Sequence, residues 1–141
     1  MRKLCVNLSL TLSLALLACL GCSSGGDRPT APVTGKVSYK GKTLNQGTVM
    51  FVPEAGGPAA QGEINADGQY TLGTYGTSDG AVLGKHKVSI TALEDMAGAL
   101  PEQRSGTPKP LVPQKYLDHE KSGLTFEVKD DDNVADFELT D

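Results

Sequence analysis

The amino-acid sequence predicts an all-β fold, a seven-stranded antiparallel β-sandwich following an N-terminal signal segment, and three observations carry that expectation. The chain holds 17 glycines and 8 prolines, with aromatics at only 5% and no tryptophan, punctuation too dense for a bundle of long helices. Beyond position 33 the apolar residues recur with period two rather than 3.6. The alternating runs are short and bounded by Gly, Pro, Asn and Asp. A length of 141 residues is one domain's worth against the roughly 100–200 residues usual per domain, which excludes a multidomain enzyme.

Residues 1–21 read as an address. Met1 to Lys3 supply a short positive start, positions 4–20 follow with eight leucines and no charge, and the chain turns small and polar at 21–26. That pattern is a secretory signal peptide. All three cysteines, Cys5, Cys19 and Cys22, lie in or beside it. Leu20-Gly21-Cys22 resembles the bacterial lipobox, in which a small residue precedes a cysteine that is acylated before cleavage on its N-terminal side. Cys22 is the favoured lipid-attachment site because Gly21 leads directly into the flexible run Ser23-Ser24-Gly25-Gly26; Cys19, behind Leu16-Leu17-Ala18, is the alternative.

Each buried methylene of such a lipid contributes ~0.8 kcal/mol, so two or three acyl chains hold a protein firmly at a membrane. The expected location is the bacterial cell envelope, on the periplasmic or outer-membrane face, with the membrane as first partner. Residues 22–32 form a polar, Gly/Pro-rich tether with a reach on the order of 30 Å. Loss of 1–21 takes Arg2 and Lys3 from the 13 basic residues, leaving eleven against 17 acidic ones and a net charge of −6. That sign suits neither nucleic acid nor anionic headgroups. With no cysteine after Cys22, the domain over 33–141 folds without disulfides.

Seven strands are expected within it. Residues 33–40 alternate Val33, Gly35, Val37 and Tyr39 on one face with Thr34, Lys36, Ser38 and Lys40 on the other, and Lys40-Gly41-Lys42 ends the run. A β-rich run at 48–52 stops at Pro53. Residues 61–64 and 69–72 flank Asn65-Ala66-Asp67-Gly68, a reversal in which Asp and Gly supply positive φ. Residues 84–92 put His86, Val88, Ile90 and Ala92 on one face, and closing strands fall at 124–128 and 135–139, joined through Asp130-Asp131-Asp132-Asn133. One apolar face per strand calls for two sheets packed face to face. Two stretches stand outside this ladder: a polar loop at 74–83, and a Pro-rich excursion at 93–114, long enough to be a contact surface for a partner.

The run V-T-G-K-V-S-Y-K-G-K-T-L-N-Q-G-T-V-M-F (33–51) resembles the opening of carboxypeptidase regulatory-like, transthyretin-like (prealbumin-like) domains, with Gly35, Val37, Gly41, Leu44, Gly47 and Val49 at signature positions. A-D-G-Q-Y-T-L (66–72), L-G-K-H-K-V-S-I (83–90) and F-E-V-K-D-D-D-N-V-A-D-F-E-L (126–139) continue the likeness, with His86 where the family carries an aromatic. Residues 56–81 and 115–128 are also similar to small lipoproteins of planctomycete-type bacteria. The resemblance implies the Ig-like sandwich and leaves the activity open.

Candidate chemistry is sparse. His86 and His119 without cysteines do not make a zinc set, and His86 reads as a core residue. Asp118 with Asp130, Asp131, Asp132 and Asn133 offers oxygen ligands for calcium, but reads better as a solvated turn. The segment Asn65-Ala66-Asp67-Gly68 lacks a closing glutamate, since Gly76 stands at the twelfth position. No G-x-S-x-G elbow occurs, and the chain ends Glu138-Leu139-Thr140-Asp141 where the transthyretin-related hydroxyisourate hydrolases end in Y-R-G-S. Lys36 and Asn133 could play the cross-linking pair of collagen-adhesin repeats, but Lys36 is on the polar face of its strand. Neither a metal nor a cofactor is expected. The function expected is that of a non-catalytic, lipid-anchored interaction or structural module, with an envelope protein or polysaccharide as partner. The alternative is a carbohydrate-binding module with Tyr75 and Tyr116 as ligand contacts; Tyr39, a third tyrosine, shares the apolar face of the first strand.

Overall fold

The structure, a computed structural model, describes residues 27–94 and 108–141. The described residues are all-β apart from one 3-10 turn, Gln114–Leu117. Eleven strands are present among the described residues: β1 (Thr30–Ala31), β2 (Val33–Tyr39), β3 (Lys42–Thr43), β4 (Thr48–Pro53), β5 (Ala60–Glu63), β6 (Gln69–Thr71), β7 (Ala81–Val82), β8 (Gly84–Thr91), β9 (Leu124–Val128), β10 (Asn133–Val134) and β11 (Phe137–Leu139). Each of the seven expected strands has a counterpart, the last (135–139) shortened to β11, and the count is higher because β1, β3, β7 and β10 are additional two-residue strands, β10 lying where the acidic turn is expected to end. Two-residue strands carry no periodicity for a sequence to display.

Three sheets result. β5, β4, β8 and β9 form one in that order, wholly antiparallel. In the second, β2 is flanked by β10 and β11 on one side and by β6 and β3 on the other. β1 and β7 form a separate pair. The expected all-antiparallel arrangement fails at one place: β10 and β11 run parallel to β2, in the registers Val33 with Asn133 and Val37 with Phe137. The chain reaches β10 from β9, in the other sheet, so no hairpin dictates an antiparallel return.

Alternation does the sorting that the sequence implies. Val33 and Val37 of β2, Val49 and Phe51 of β4, and His86, Val88 and Ile90 of β8 are fully buried, whereas Thr34, Lys36, Met50 and Lys85 face outward. The two larger sheets share one core, and Phe51 stands in it with ring centroids 5.8 Å from His86, 5.8 Å from Phe126 and 6.1 Å from Phe137 of the facing sheet. Lys40 and Gly41, both at positive φ, make the two-residue reversal from β2 to β3.

Folded structure begins before Val33. Within the expected tether, β1 pairs with β7 and the Pro29 carbonyl accepts from the Leu83 amide at 3.2 Å. The expected loop 74–83 thus contributes β7, with Ala81 and Val82 buried. The 93–114 excursion is anchored at both ends: the Glu94 amide donates to the Lys109 carbonyl at 2.9 Å, the Leu111 amide to the Ala92 carbonyl at 2.8 Å, and Val112 is buried. Residues 95–107 of that excursion lie outside the described residues.

The break between β10 and β11 is repaired by two side chains. The Lys36 amide donates to Asp136 Oδ1 at 2.8 Å, and the Tyr70 hydroxyl donates to the Ala135 carbonyl at 2.5 Å from β6, across β2. Gly35 lies beneath this crossing, where any Cβ would overlap the Ala135 carbonyl. Burial pushes the Tyr70 phenol well above its ordinary range, and the nearby charge of Asp136 adds to the effect. Removing the hydroxyl strands a buried carbonyl, an effect of roughly 1–3 kcal/mol. Tyr70→Phe should therefore lower the unfolding free energy by that much, seen as a lower urea midpoint at an unchanged m-value, and a loss of only a few tenths of a kcal/mol would show that the hydroxyl does not support the break.

Candidate functional site

The three tyrosines singled out in the sequence do not share a surface. Tyr75 is 44% exposed, whereas Tyr116 is 5% exposed. The 3-10 turn packs Tyr116 against β8, and its hydroxyl donates to the Thr140 carbonyl at 2.9 Å and accepts from the Thr140 amide at 3.2 Å. β9 pairs only as far as Val88, so Ser89–Thr91 lack a strand on that side and Tyr116 helps close the gap between the sheets. The expectation of Tyr116 as a ligand contact is corrected accordingly: it lies just past the Pro-rich excursion, in a short turn without periodicity, where a core residue leaves no pattern. Tyr39 is half-buried, and its hydroxyl donates to Asp141 Oδ1 at 2.5 Å.

Tyr75 stands over the corner where the two larger sheets meet. There β5 and the residue after Leu72 exchange a pair of backbone bonds, Gln61 amide to Gly73 carbonyl at 3.0 Å and the reverse at 2.9 Å. An open groove of about 600 Å³ runs along this seam, lined by Gln61, Glu63, Thr71, Thr74, Tyr75 and Thr77 among others. Gln61, Glu63, Thr71 and Thr77 are exposed, because each sits on the outward phase of its strand or in the loop.

The loop that carries Tyr75 is fixed internally. Asp79 accepts from the Thr74 amide at 2.8 Å and the Tyr75 amide at 3.0 Å, and the Thr74 hydroxyl donates to the Gly80 carbonyl at 2.8 Å. Desolvation works against the Asp79 charge, but the amides of Thr74, Tyr75, Gly76 and Asp79 outweigh it and hold the carboxyl below its ordinary value. From outside the loop, the Arg28 amide donates to the Tyr75 hydroxyl at 2.9 Å, while the Arg28 guanidinium reaches the Gly56 carbonyl. The aromatic is thereby tied at its backbone and at its hydroxyl. Sequence reasoning missed Asp79 and Arg28. An Asp closing the polar loop T-Y-G-T-S-D was a local signal for the first, and nothing local points to the second, 47 residues away.

The remaining candidates have other duties. Asn133 organises the acidic turn: its Oδ1 accepts from the Lys129 amide at 3.0 Å, and its Nδ2 donates to the carbonyls of Lys129 at 3.0 Å and Asp131 at 2.6 Å. It lies opposite Val33, while Lys36, further along β2, is exposed, so the two are not brought together as a cross-linking pair. Asp118 accepts from the Glu120 amide at 2.9 Å and pairs with Lys121 at 3.2 Å. Asn65 Oδ1 accepts from the Asp67 and Gln69 amides at 2.9 Å each, which fixes the β5–β6 reversal. Among the described residues no three of His, Cys, Asp and Glu gather at metal-binding distance. Cys19 and Cys22 lie outside the described residues.

The chain matches no protein-family model, no curated protein and no solved structure.

His86 is buried against Phe51 with Nδ1 at 3.0 Å from the Gly84 carbonyl. A carbonyl only accepts, so the proton resides on Nδ1, and Nε2 keeps a buried lone pair without a partner among the described residues. His119 belongs to a different surface, lining a shallow concavity with Glu54, Lys87 and Glu120. Burial lowers the His86 pKa, opposed by the Gly84 carbonyl and the charge of Glu54. A base with a depressed folded-state pKa leaves the native state binding fewer protons than the unfolded one. Its contribution to stability is full above the unfolded pKa of about 6.5 and is lost as the pH falls from there toward the folded value. Between about pH 7 and pH 5.5 the wild type should lose stability in urea melts while His86→Leu stays nearly flat; parallel curves would refute the assignment.

Proposed function

We propose that this chain is a lipid-anchored, non-catalytic interaction module of the bacterial cell envelope, and that the groove beside Tyr75 is its contact surface. The observation that carries the reading is the fixation of an exposed aromatic: Asp79 holds its loop and Arg28 holds its hydroxyl. A ring exposed to water but held in one place is arranged for contact rather than for packing, and ordering it in advance lowers the entropy lost on binding. Kinship with carboxypeptidase regulatory-like, transthyretin-like domains belongs to the same proposal. Its support is the signature run at 33–51, whose Gly35 and Gly41 answer to a close backbone crossing and a positive-φ reversal.

The anchor is the second half of the reading. The charge-free leucine run and Leu20-Gly21-Cys22 support acylation at Cys22, with Cys19 as the alternative. Asp27 is five residues beyond Cys22, and five residues extend at most about 18 Å. Because Arg28 is bonded to Tyr75, the groove in this reading lies near the membrane surface rather than at the far end of the domain.

Intact mass spectrometry of the protein from its native membrane tests the anchor. A chain beginning at Cys22 and carrying a diacyl or triacyl mass is expected, with Cys22→Ser abolishing both the added mass and membrane recovery. An unmodified secreted chain would overturn the anchor.

A further inference from the structure

The chemistry of the Tyr75 groove narrows what it can hold. A peptide adding itself as a strand needs a free ladder edge, and at this seam the backbone of Gln61 is already bonded to Gly73 in both directions. A phosphate or nucleic-acid ligand needs cations, whereas among the described residues none that lines the groove is basic and Glu63 is acidic. A metal would need a gathering of carboxylates, and among the described residues Glu63 is the only one lining the groove. What remains is one aromatic ring beside a planar amide, a planar carboxylate and threonine hydroxyls, in a groove open to water.

That set matches a pyranose. A sugar ring presents an apolar C–H face that stacks on an aromatic, and a rim of hydroxyls that donate to carboxylate and amide oxygens and accept from amide N–H groups. Glu63 accepts only, so it favours hydroxyl donors and repels carboxylated, sulfated or phosphorylated sugars. The open groove suits a segment of a chain rather than an enclosed monosaccharide. We infer that the groove along the β5–β6 seam binds an uncharged oligosaccharide, with Tyr75 as the stacking platform and Gln61 and Glu63 as the polar contacts. The inference rests on the reading of the domain as a binding module and names the class of its partner.

The test is titration of the full-length chain in detergent micelles with uncharged hexasaccharides of β-1,4-linked glucose, N-acetylglucosamine and mannose, followed by calorimetry and by amide shifts. At least one should bind, with shifts centred on Gln61, Glu63, Thr71 and Tyr75. Tyr75→Ala should weaken it about tenfold, the scale of one aromatic contact, and Tyr75→Phe should keep most of the affinity because the ring remains. Glu63→Gln should admit a sulfated analogue that the wild type rejects. Failure of all three sugars to bind, or binding indifferent to Tyr75→Ala, overturns the inference. An acylated protein that binds none of them would leave the module reading standing without its glycan, whereas a sugar-binding chain without lipid would remove the anchor and keep the site.

Discussion

β2 is the constraint on which the rest of the molecule depends. It is the one strand paired along both edges in the second sheet, with the nearby β3 and β6 on one side and β10 and β11, from the far end of the chain, on the other. Residues 33 and 133 meet there, so closure of the domain waits on a contact spanning 100 residues. The parallel register brings Phe137 over Phe51 and thereby joins the two sheets into one core. The strand break at Ala135 and Asp136 is accommodated only because Gly35 has no side chain and because Tyr70 and Asp136 bond the backbone groups left over.

The same frame positions the surface feature of interest. Leu72, fully buried, donates its amide to the Val33 carbonyl at 3.0 Å, and its own carbonyl accepts from the Gly80 amide at 3.0 Å. The two ends of the Tyr75 loop are therefore fixed to β2 and to each other before Asp79 is considered. β7 then captures β1, so the segment entering the domain runs beside the loop and delivers Arg28 to Tyr75. Core, loop and entry segment form one chain of contacts, and the exposed ring is at its end.

Much of this was legible in the residues. Strong alternation at 33–40, 48–52, 84–92 and 124–128 announces half-buried strands, and the inward placement of His86 follows from its phase with Val88 and Ile90. What could not be read falls into two kinds. β1, β3 and β7 are too short for a period, and Tyr116 reaches the core from a segment without one. Long-range partnerships leave no local trace either: the parallel return of β10 and β11, and the bond from Arg28 to Tyr75, depend on where the chain comes back in space. Composition did single out Tyr75, but not the carboxylate that immobilises it.

Amide hydrogen exchange is the most direct test that closure around β2 holds the domain together. The account requires the amides of Val37, Leu72 and Ala135, bonded to Gly68, Val33 and Thr34 at 2.8 to 3.0 Å, to exchange only through global unfolding, at the same free energy as the amides of β4 and β8. Fast exchange at Ala135 and Val37 while β4 and β8 stay protected would show that the pairings on both edges of β2 open independently of the other sheet, and would contradict the central role given to β2.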